Sequence, residues 1–378
     1  MKKILFFYPD NPLINNQGNN ARALELLHFF KKQNYTVDFV GETQTNFSKD
    51  NLPELKKAGL VDNAYILRKR KKSGLIYMFK YSIAGLIKNG TKKFNRIGVG
   101  QQKEFENILR QNKYDYIIIS YVLFAPLIEN KKLLKGAKTI VDTHDFFTAQ
   151  FNDSKNTKIG ANFKTEIKLL NKFDFIWTIS CEEQFIFSQF LSKKSITTIP
   201  HGVKNNAIKK NNKCEIDIFY VGSNNPHNTN SAKWFFSEVY PLLNKSTKIT
   251  VVGRVNEVVP DEENITKIEY ADDLGEFYEK TRITICPMLS GTGLKIKVVE
   301  SLSYGIPVVC NERGVDGLLN KINNGCLVTN NAKKYANYID QLLTDEVFYT
   351  EQSSYATKFF IQTLEEAIVS EKLIDFFS

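Results

Sequence analysis

The sequence predicts an α/β protein built from two parallel-sheet domains. Three observations carry this. Short apolar runs alternate with helical patterns along most of the chain. The runs are apolar at nearly every position instead of every second one, as in strands of a parallel sheet covered on both faces. The alternation is interrupted at residues 204–214, KNNAIKKNNKC, a polar stretch rich in Asn and Lys and without periodicity, which reads as a linker. Length agrees, because 378 residues exceed what one core usually fills. The expected boundaries are 1–203, the linker 204–214, 215–355, and a helical tail over 356–378.

Taken in order, KKILFFY reads as a first strand, PDNPLINNQGNN as a loop, ARALELLHFFKKQNY as a helix and TVDFVG as a second strand. That is a βαβ unit whose loop follows the carboxyl end of its first strand, where open α/β sheets bind ligands. YDYIIISY, KTIVDTHD, FDFIWTIS and SITTIPHGV continue as strands, with FKTEIKLLNKF as a helix among them. After the linker the alternation restarts with strand IDIFYVGS, helix SAKWFFSEVYPLL, strands KITVVGR and ITKIEYA, helix LGEFYEKT and strand RITICP. A helix over 293–304, the strand IPVVC and the helical tail YATKFFIQTLEEAIVSEKLIDFFS complete the chain.

Composition narrows the class. No run of 18 or more apolar residues occurs, and MKKILFFYPDN reaches Pro9 and Asp10 before a signal peptide could be completed, so a cytosolic protein is expected. The five cysteines, Cys181, Cys214, Cys286, Cys310 and Cys326, show no CxxC spacing and suggest neither a disulfide framework nor a zinc site. Charge is uneven. Residues 1–200 hold 32 Lys and Arg against 18 Asp and Glu, while residues 201–378 hold 19 against 23. The first half is therefore expected to face an acidic partner: nucleic acid, anionic lipid or a phosphorylated substrate.

The stretch PMLSGTGLKIKVVESLSYGIPVVC, residues 287–310, concentrates the chemistry. Gly291 and Gly293 flank Thr292 between a strand and a helix, a turn that exposes backbone N–H groups at a helix start and suits an anion. Lys295 and Lys297 are expected in the first helical turn, where the helix dipole favours acids, so a phosphate partner is one reading of the pair and a solvated basic helix end the other. Glu300 stands two turns past Gly293 in apolar company. It needs hydroxyl or amide donors, which a ribose diol supplies, or else a salt bridge to Lys297 three residues earlier.

In order, the strand, both glycines, the lysine pair, the glutamate and YGIPVV resemble the donor-site signature of retaining glycosyltransferases of family 4, which have the GT-B fold. DIFYVGSNNPHNTNSAKWFFSEVYPLL and KITVVGR are similar to the start of that family's donor domain, and VDTHDFF, TISCEEQFIF and IPHGV to segments of its first domain. The resemblance implies two Rossmann-like domains facing a central cleft, with the last helix crossing back to the first domain. It implies a nucleotide-sugar donor bound by Gly18, Gly222, Ser223, Arg254, Tyr270, Gly291, Thr292, Gly293, Leu294, Lys295, Lys297 and Glu300. The glycine turn would lie over the pyrophosphate, Glu300 would hold the ribose and Tyr270 would border the nucleobase. Gly18 would permit close approach of donor or acceptor, a plain turn being the other reading.

His144, at a strand end between Asp142 and Asp145, would bond a sugar hydroxyl or the reacting region; a structural histidine is the alternative. Two departures from the pattern stand out. Thr292 occupies the position of a first glutamate common in relatives, and the basic residues many relatives carry after the first donor-domain strand are less evident, GSNNPHNTN offering only His227 before Lys233. Lys295, Lys297 and Arg254 would supply that charge. No DxD motif stands at a strand end, and the resemblance implies metal-independent transfer with retention, with no metal site, no cofactor and no protein general base.

The acceptor implied is a saccharide or lipid-linked glycan, in surface polysaccharide or glycan assembly. From Asn63 to Lys103 there are eleven Lys and Arg and no acid, and SGLIYMFKYSIAGLIKNG within it has the pattern of an amphipathic helix with basic flanks. Contact with an anionic membrane surface is one reading, and a helix packed on the first domain is the other. Rival functions are a nucleotide-sugar epimerase or hydrolase of the same fold and, more remotely, a nucleic-acid-binding protein. The sequence lacks the helix-turn-helix or aromatic-and-basic strand face expected of the last, so no nucleic-acid partner is expected.

Overall fold

The structure is a computed structural model that describes residues 1–14, 18–43, 46–68, 94–150, 158–207 and 214–378. Two units emerge from the packing, one comprising Met1–Ile179 with Glu183–Thr198, the other Ser180–Glu182 with Ile199–Ser378.

The first unit is built on seven strands, β1 (Lys3–Phe7), β2 (Thr36–Glu42), β3 (Asn63–Leu67), β4 (Tyr116–Ser120), β5 (Lys138–Asp142), β6 (Phe175–Thr178) and β7 (Ser195–Thr198). They lie in the order β3-β2-β1-β4-β5-β6-β7, every pairing parallel. The second unit holds β8 (Ile216–Val221), β9 (Ile249–Val252), β10 (Ile265–Ile268), β11 (Thr281–Cys286), β12 (Val308–Cys310) and β13 (Cys326–Val328), all parallel, in the order β10-β9-β8-β11-β12-β13. Each order runs outward from the unit's first strand and then restarts on its other side. The reversal leaves a crevice outside the carboxyl ends of the strands, between β1 and β4 in one unit and between β8 and β11 in the other.

Two-sided coverage explains the continuous apolar runs. Ile218 and Tyr220 of β8 enter a core with Phe235, Val251, Ile283, Val309 and Tyr335. Phe219, between them, points to the opposite face and packs with Tyr278, Tyr304 and Ile306. A strand read from both sides has no polar face to alternate with.

Several elements differ from the sequence reading. The helix placed over 231–243 begins at Pro226, where Asn225 caps it by accepting a hydrogen bond from the Asn228 N–H and proline occupies the first turn; it widens into a π turn over Phe235–Val239. The helix placed over 293–304 spans Ile296–Ser303, because Gly293 takes φ +76° and Lys295 is extended at φ −90°, ψ 102°. The tail is two helices, Glu346–Thr363 and Glu366–Phe377. At the break Val203 N–H donates to Leu364 O and Glu366 N–H to Val203 O, an isolated bridge replacing the helical partners. The short strands β3 and β13 were not anticipated. The amphipathic pattern over residues 73–90 lies outside the described residues, as does 208–213 of the linker. No helix among the described residues is long and apolar enough to cross a membrane.

Candidate functional site

In the second unit the loops after β8 and β11, on the two sides of the switch point, carry most of the residues singled out from sequence. Gly222 follows β8. A Cβ on Gly253, which has φ +105°, would lie 2.4 Å from Gly222 O, so the loops after β8 and β9 meet backbone to backbone. Asn228 Nδ2 donates to Ser223 O at 3.1 Å and to Ser223 Oγ at 3.2 Å, fixing the turn that follows Gly222.

After β11 the chain turns through Gly291 and Gly293 at φ +95° and +76°, a left-handed conformation that side chains resist. Between them Thr292 Oγ1 is buried and has no hydrogen-bond partner among the described residues. His227 Nδ1, 2.7 Å from Ser290 Oγ, stands beside Gly291.

The two lysines do different work. Lys295 turns back and donates to the carbonyls of Thr292 (3.1 Å) and Gly293 (2.7 Å), bracing the glycine turn. Lys297 reaches across the switch point. Its Nζ donates to Asn228 Oδ1 at 3.2 Å and lies 5.0 Å from the centre of the Tyr220 ring. Burial pulls the Lys297 ammonium below its ordinary pKa, with Lys295 adding to that and Cys286 and Glu300 opposing it.

Glu300 is bonded by Tyr278, whose Oη donates to Oε2 at 2.9 Å; the salt bridge to Lys297 weighed from sequence is not the contact formed. Burial raises the Glu300 pKa, against the Tyr278 hydrogen bond and the nearby His201 and Lys297. A carboxyl and a phenol side by side suit a ligand carrying several hydroxyls.

Other residues named from sequence lie further out. Arg254 is 68% exposed, and its guanidinium sits 3.5 Å from Glu257. Tyr270, past the end of β10, is 74% exposed. Leu294 is buried against Gly317, where a Cβ would lie 2.9 Å from Leu294 Cα.

In the first unit Gly18 opens the helix Gly18–Lys32. His144, two residues past β5, is buried in a left-handed conformation at φ +60°, a strain tolerated mainly at functional positions. Its Nε2 is 2.9 Å from Asp142 Oδ2, and its ring stacks on Tyr121 with centroids 4.3 Å apart. Arg22 grips the same carboxylate, with Nε 3.0 Å from each oxygen and Nη2 2.6 Å from Oδ1. Burial opposes ionisation of Asp142, but Arg22 and His144 hold it well below the usual carboxylate range. Beside it Thr143 Oγ1 donates to Glu183 Oε2 at 2.7 Å, and burial pushes the Glu183 carboxyl up to about 8.

Sequence reading missed Asn228, Tyr278 and Arg22. The dipeptide Asn225-Pro226 was a usable helix-start signal that would have brought Asn228 into the first turn beside the Gly222 loop. Nothing local to Tyr278 or Arg22 marks a partner 22 or 120 residues away.

Comparison with known proteins follows the same lines. Residues 215–345 match the model of the family described as Glycosyl transferases group 1. An uncharacterized 44.6 kDa protein in the cps region of Klebsiella pneumoniae is 22% identical over 369 residues, covering 90% of each chain. Among solved structures, HepE of Anabaena in complex with UDP superposes with a TM-score of 0.70 at 12% identity, covering 100% of this chain and 99% of that one. Sucrose-phosphate synthase from Thermosynechococcus elongatus gives 0.71 at 13%, covering 100% and 98%. A TarM variant of S. aureus, solved in complex with fondaparinux, alpha-GlcNAc-glycerol and UDP, gives 0.69 at 15%, covering all of both chains.

Proposed function

We propose that this chain, a GT-B-fold protein whose residues 215–345 form a glycosyl transferases group 1 domain, transfers a sugar from a nucleoside-diphosphate sugar to a hydroxyl of a saccharide or lipid-linked glycan, with retention of configuration. The observation that carries this reading is the glycine turn at Gly291–Gly293. It stands at the switch point of the second sheet, braced by Lys295, with the Lys297 ammonium delivered to the facing loop.

In this reading the diphosphate lies along the N–H groups of the turn, and Lys297 meets the charge that develops as the leaving group departs. Glu300 and Tyr278 bond the ribose hydroxyls. Gly222, Ser223 and Asn228 form the opposite wall, and Tyr270 borders the base. Thr292 Oγ1, buried and without a partner among the described residues, bonds a hydroxyl of the donor sugar. His144 bonds a sugar hydroxyl near the reacting carbon. The lysines and backbone donors take the part a metal ion plays in other transferases, and no protein general base is assigned.

The relative in a cps region supports a setting in surface polysaccharide assembly. The basic surplus of residues 1–200 supports work at the cytoplasmic face of an anionic membrane, with residues 63–103 as the contact.

The test is a thermal-shift panel with UDP, GDP, CMP, ADP and dTDP and their common sugar conjugates, with and without EDTA. UDP comes first because HepE and TarM were solved with it. One nucleotide raising the melting temperature equally with and without chelator is the expected result, by mass action on the native state. No shift at millimolar nucleotide would remove the donor site, and turnover of a nucleotide sugar without any acceptor would identify a hydrolase or epimerase instead.

A further inference from the structure

The start of the helix Gly18–Lys32 gathers the ends of three adjacent strands of the first sheet. Asn19 Nδ2 donates to Tyr121 Oη (3.0 Å), Tyr8 Oη donates to Asn20 Oδ1 (2.5 Å), and Arg22 forks onto Asp142. Tyr8 follows β1, Tyr121 follows β4 and Asp142 closes β5. The product of this bracing is a fixed imidazole. His144 lies flat against Tyr121, 6.0 Å from the Tyr8 ring, with Nε2 beside Asp142 Oδ2.

The Nε2 approach is short but bent away from the N–H direction, so the carboxylate acts on that nitrogen chiefly through its charge. No described protein group pairs with Nδ1. Arg22 supplies the rest: a permanent cation with a planar fork that keeps the carboxylate ionised and sets its orientation. Arg22 and Asp142 are 1% and 0% exposed, and a buried ion pair is seldom more stable than an apolar packing of equal volume. Stability alone is therefore a weak account of why the charges are there.

We infer that Asp142, clamped by Arg22, is the positioning residue for His144: it fixes the imidazole as the tautomer with its proton on Nε2, leaving Nδ1 to accept a hydrogen bond from a ligand hydroxyl. A neutral ring in the other tautomer would present an N–H at Nδ1 and suit a phosphate or carboxylate oxygen. In the tautomer set by Asp142, Nδ1 offers only a lone pair, which an ionised phosphate cannot satisfy and a sugar hydroxyl can. The inference rests on the reading of His144 as a ligand-binding residue and specifies which chemistry it binds.

The test needs no substrate, so its failure is distinct from failure of the nucleotide panel. The full chain has four histidines, His28, His144, His201 and His227, few enough for long-range proton–nitrogen correlation on protein carrying ¹⁵N-histidine. The His144 signals are identified by their absence in His144→Gln. The expected result is one dominant form in the native protein near neutral pH, with Nδ1 bare. Asp142→Asn, which presents a donor as well as an acceptor, should turn this into a mixture or the opposite tautomer. Arg22→Lys, which keeps the charge and loses the fork, should shift it part of the way, and it serves alone if Asp142→Asn does not fold. A mixture in the native protein, or an unchanged tautomer in either folded variant, overturns the inference.

Discussion

At the end of β5, Asp142 is wholly buried and its carboxylate is held by three contacts from Arg22 and one from His144. After β11, in a sheet of the same topology, Thr292 Oγ1 is buried with no hydrogen-bond partner among the described residues, and Lys297 reaches its protein partner at 3.2 Å, the long end of the hydrogen-bond range. The two units share a strand order and use its crevice in opposite ways. At Asp142 the first meets a buried carboxylate with its own groups and so fixes a side chain in place. The second leaves donors and acceptors to be completed from outside. Preorganisation and ligand demand are thus separable here, and each is open to disproof.

The largest expected effect is in the first unit. Arg22→Ala leaves Asp142 as an uncompensated buried charge and should lower stability by about 3–5 kcal/mol, read as a shift in the urea midpoint at unchanged slope. Lys297→Ala should cost far less. Comparable losses in the two variants would break the contrast, because they would make the Lys297 ammonium a structural group as well.

The pH dependence separates two buried carboxyls within the first unit. Glu183 has its folded pKa raised by burial from 4.5 to about 8. Between those values the native state binds more protons than the unfolded state, so stability falls as pH rises from about 4.5 to 8 and then levels off. One such group contributes at most about 1.4 kcal/mol per pH unit. Asp142 runs the other way: its folded pKa is depressed, so its contribution is present at neutral pH and is lost only on acidification below the ordinary carboxylate range. Glu183→Gln should flatten the decline between pH 4.5 and 8, as denaturation at several pH values would show; the same slope in both proteins would assign it elsewhere.

What the sequence disclosed follows from the range of the interactions. The parallel sheets were legible because two-sided burial writes itself into contiguous runs such as YIIIS of β4 and ITVV of β9, all of whose residues are buried. The glycine turn was legible because left-handed backbone demands a residue type at a fixed spacing. The partner of Glu300 was not, since a salt bridge three residues away is a local idea and Tyr278 arrives from another helix. The division of labour between Lys295 and Lys297 was also hidden. It depends on an extended Lys295 that delays the helix to Ile296 and sends two neighbouring ammonium groups in different directions.

Within the second unit, Glu300→Ala should weaken nucleotide binding by about 1–3 kcal/mol through the lost hydrogen bonds to a charged group, measured by titration calorimetry with whichever nucleotide the thermal panel selects. Tyr278→Phe should lose less, because the carboxyl remains to receive the ribose. If Tyr278→Phe costs as much as Glu300→Ala, the pair is internally satisfied in the manner of Arg22 and Asp142, and the contrast between the units fails at that point.

The smallest effect expected is at Arg254. An exposed ion pair such as Arg254 with Glu257 contributes about 0–1 kcal/mol to folding, since both groups are well solvated either way. Arg254→Ala should therefore leave the melting temperature of the free protein almost unchanged, which makes it a clean probe of function. Its guanidinium follows Gly253, the residue whose backbone meets Gly222, so it stands at the edge of the proposed diphosphate wall and its charge is available at little structural cost. The expectation is a loss of nucleotide affinity that shrinks as salt is raised, because screening weakens a solvent-exposed contact more than a buried one. A salt-independent loss would mean that Arg254 abandons Glu257 and becomes buried against the ligand, while no loss at low salt would leave Lys297 as the principal cation of the site.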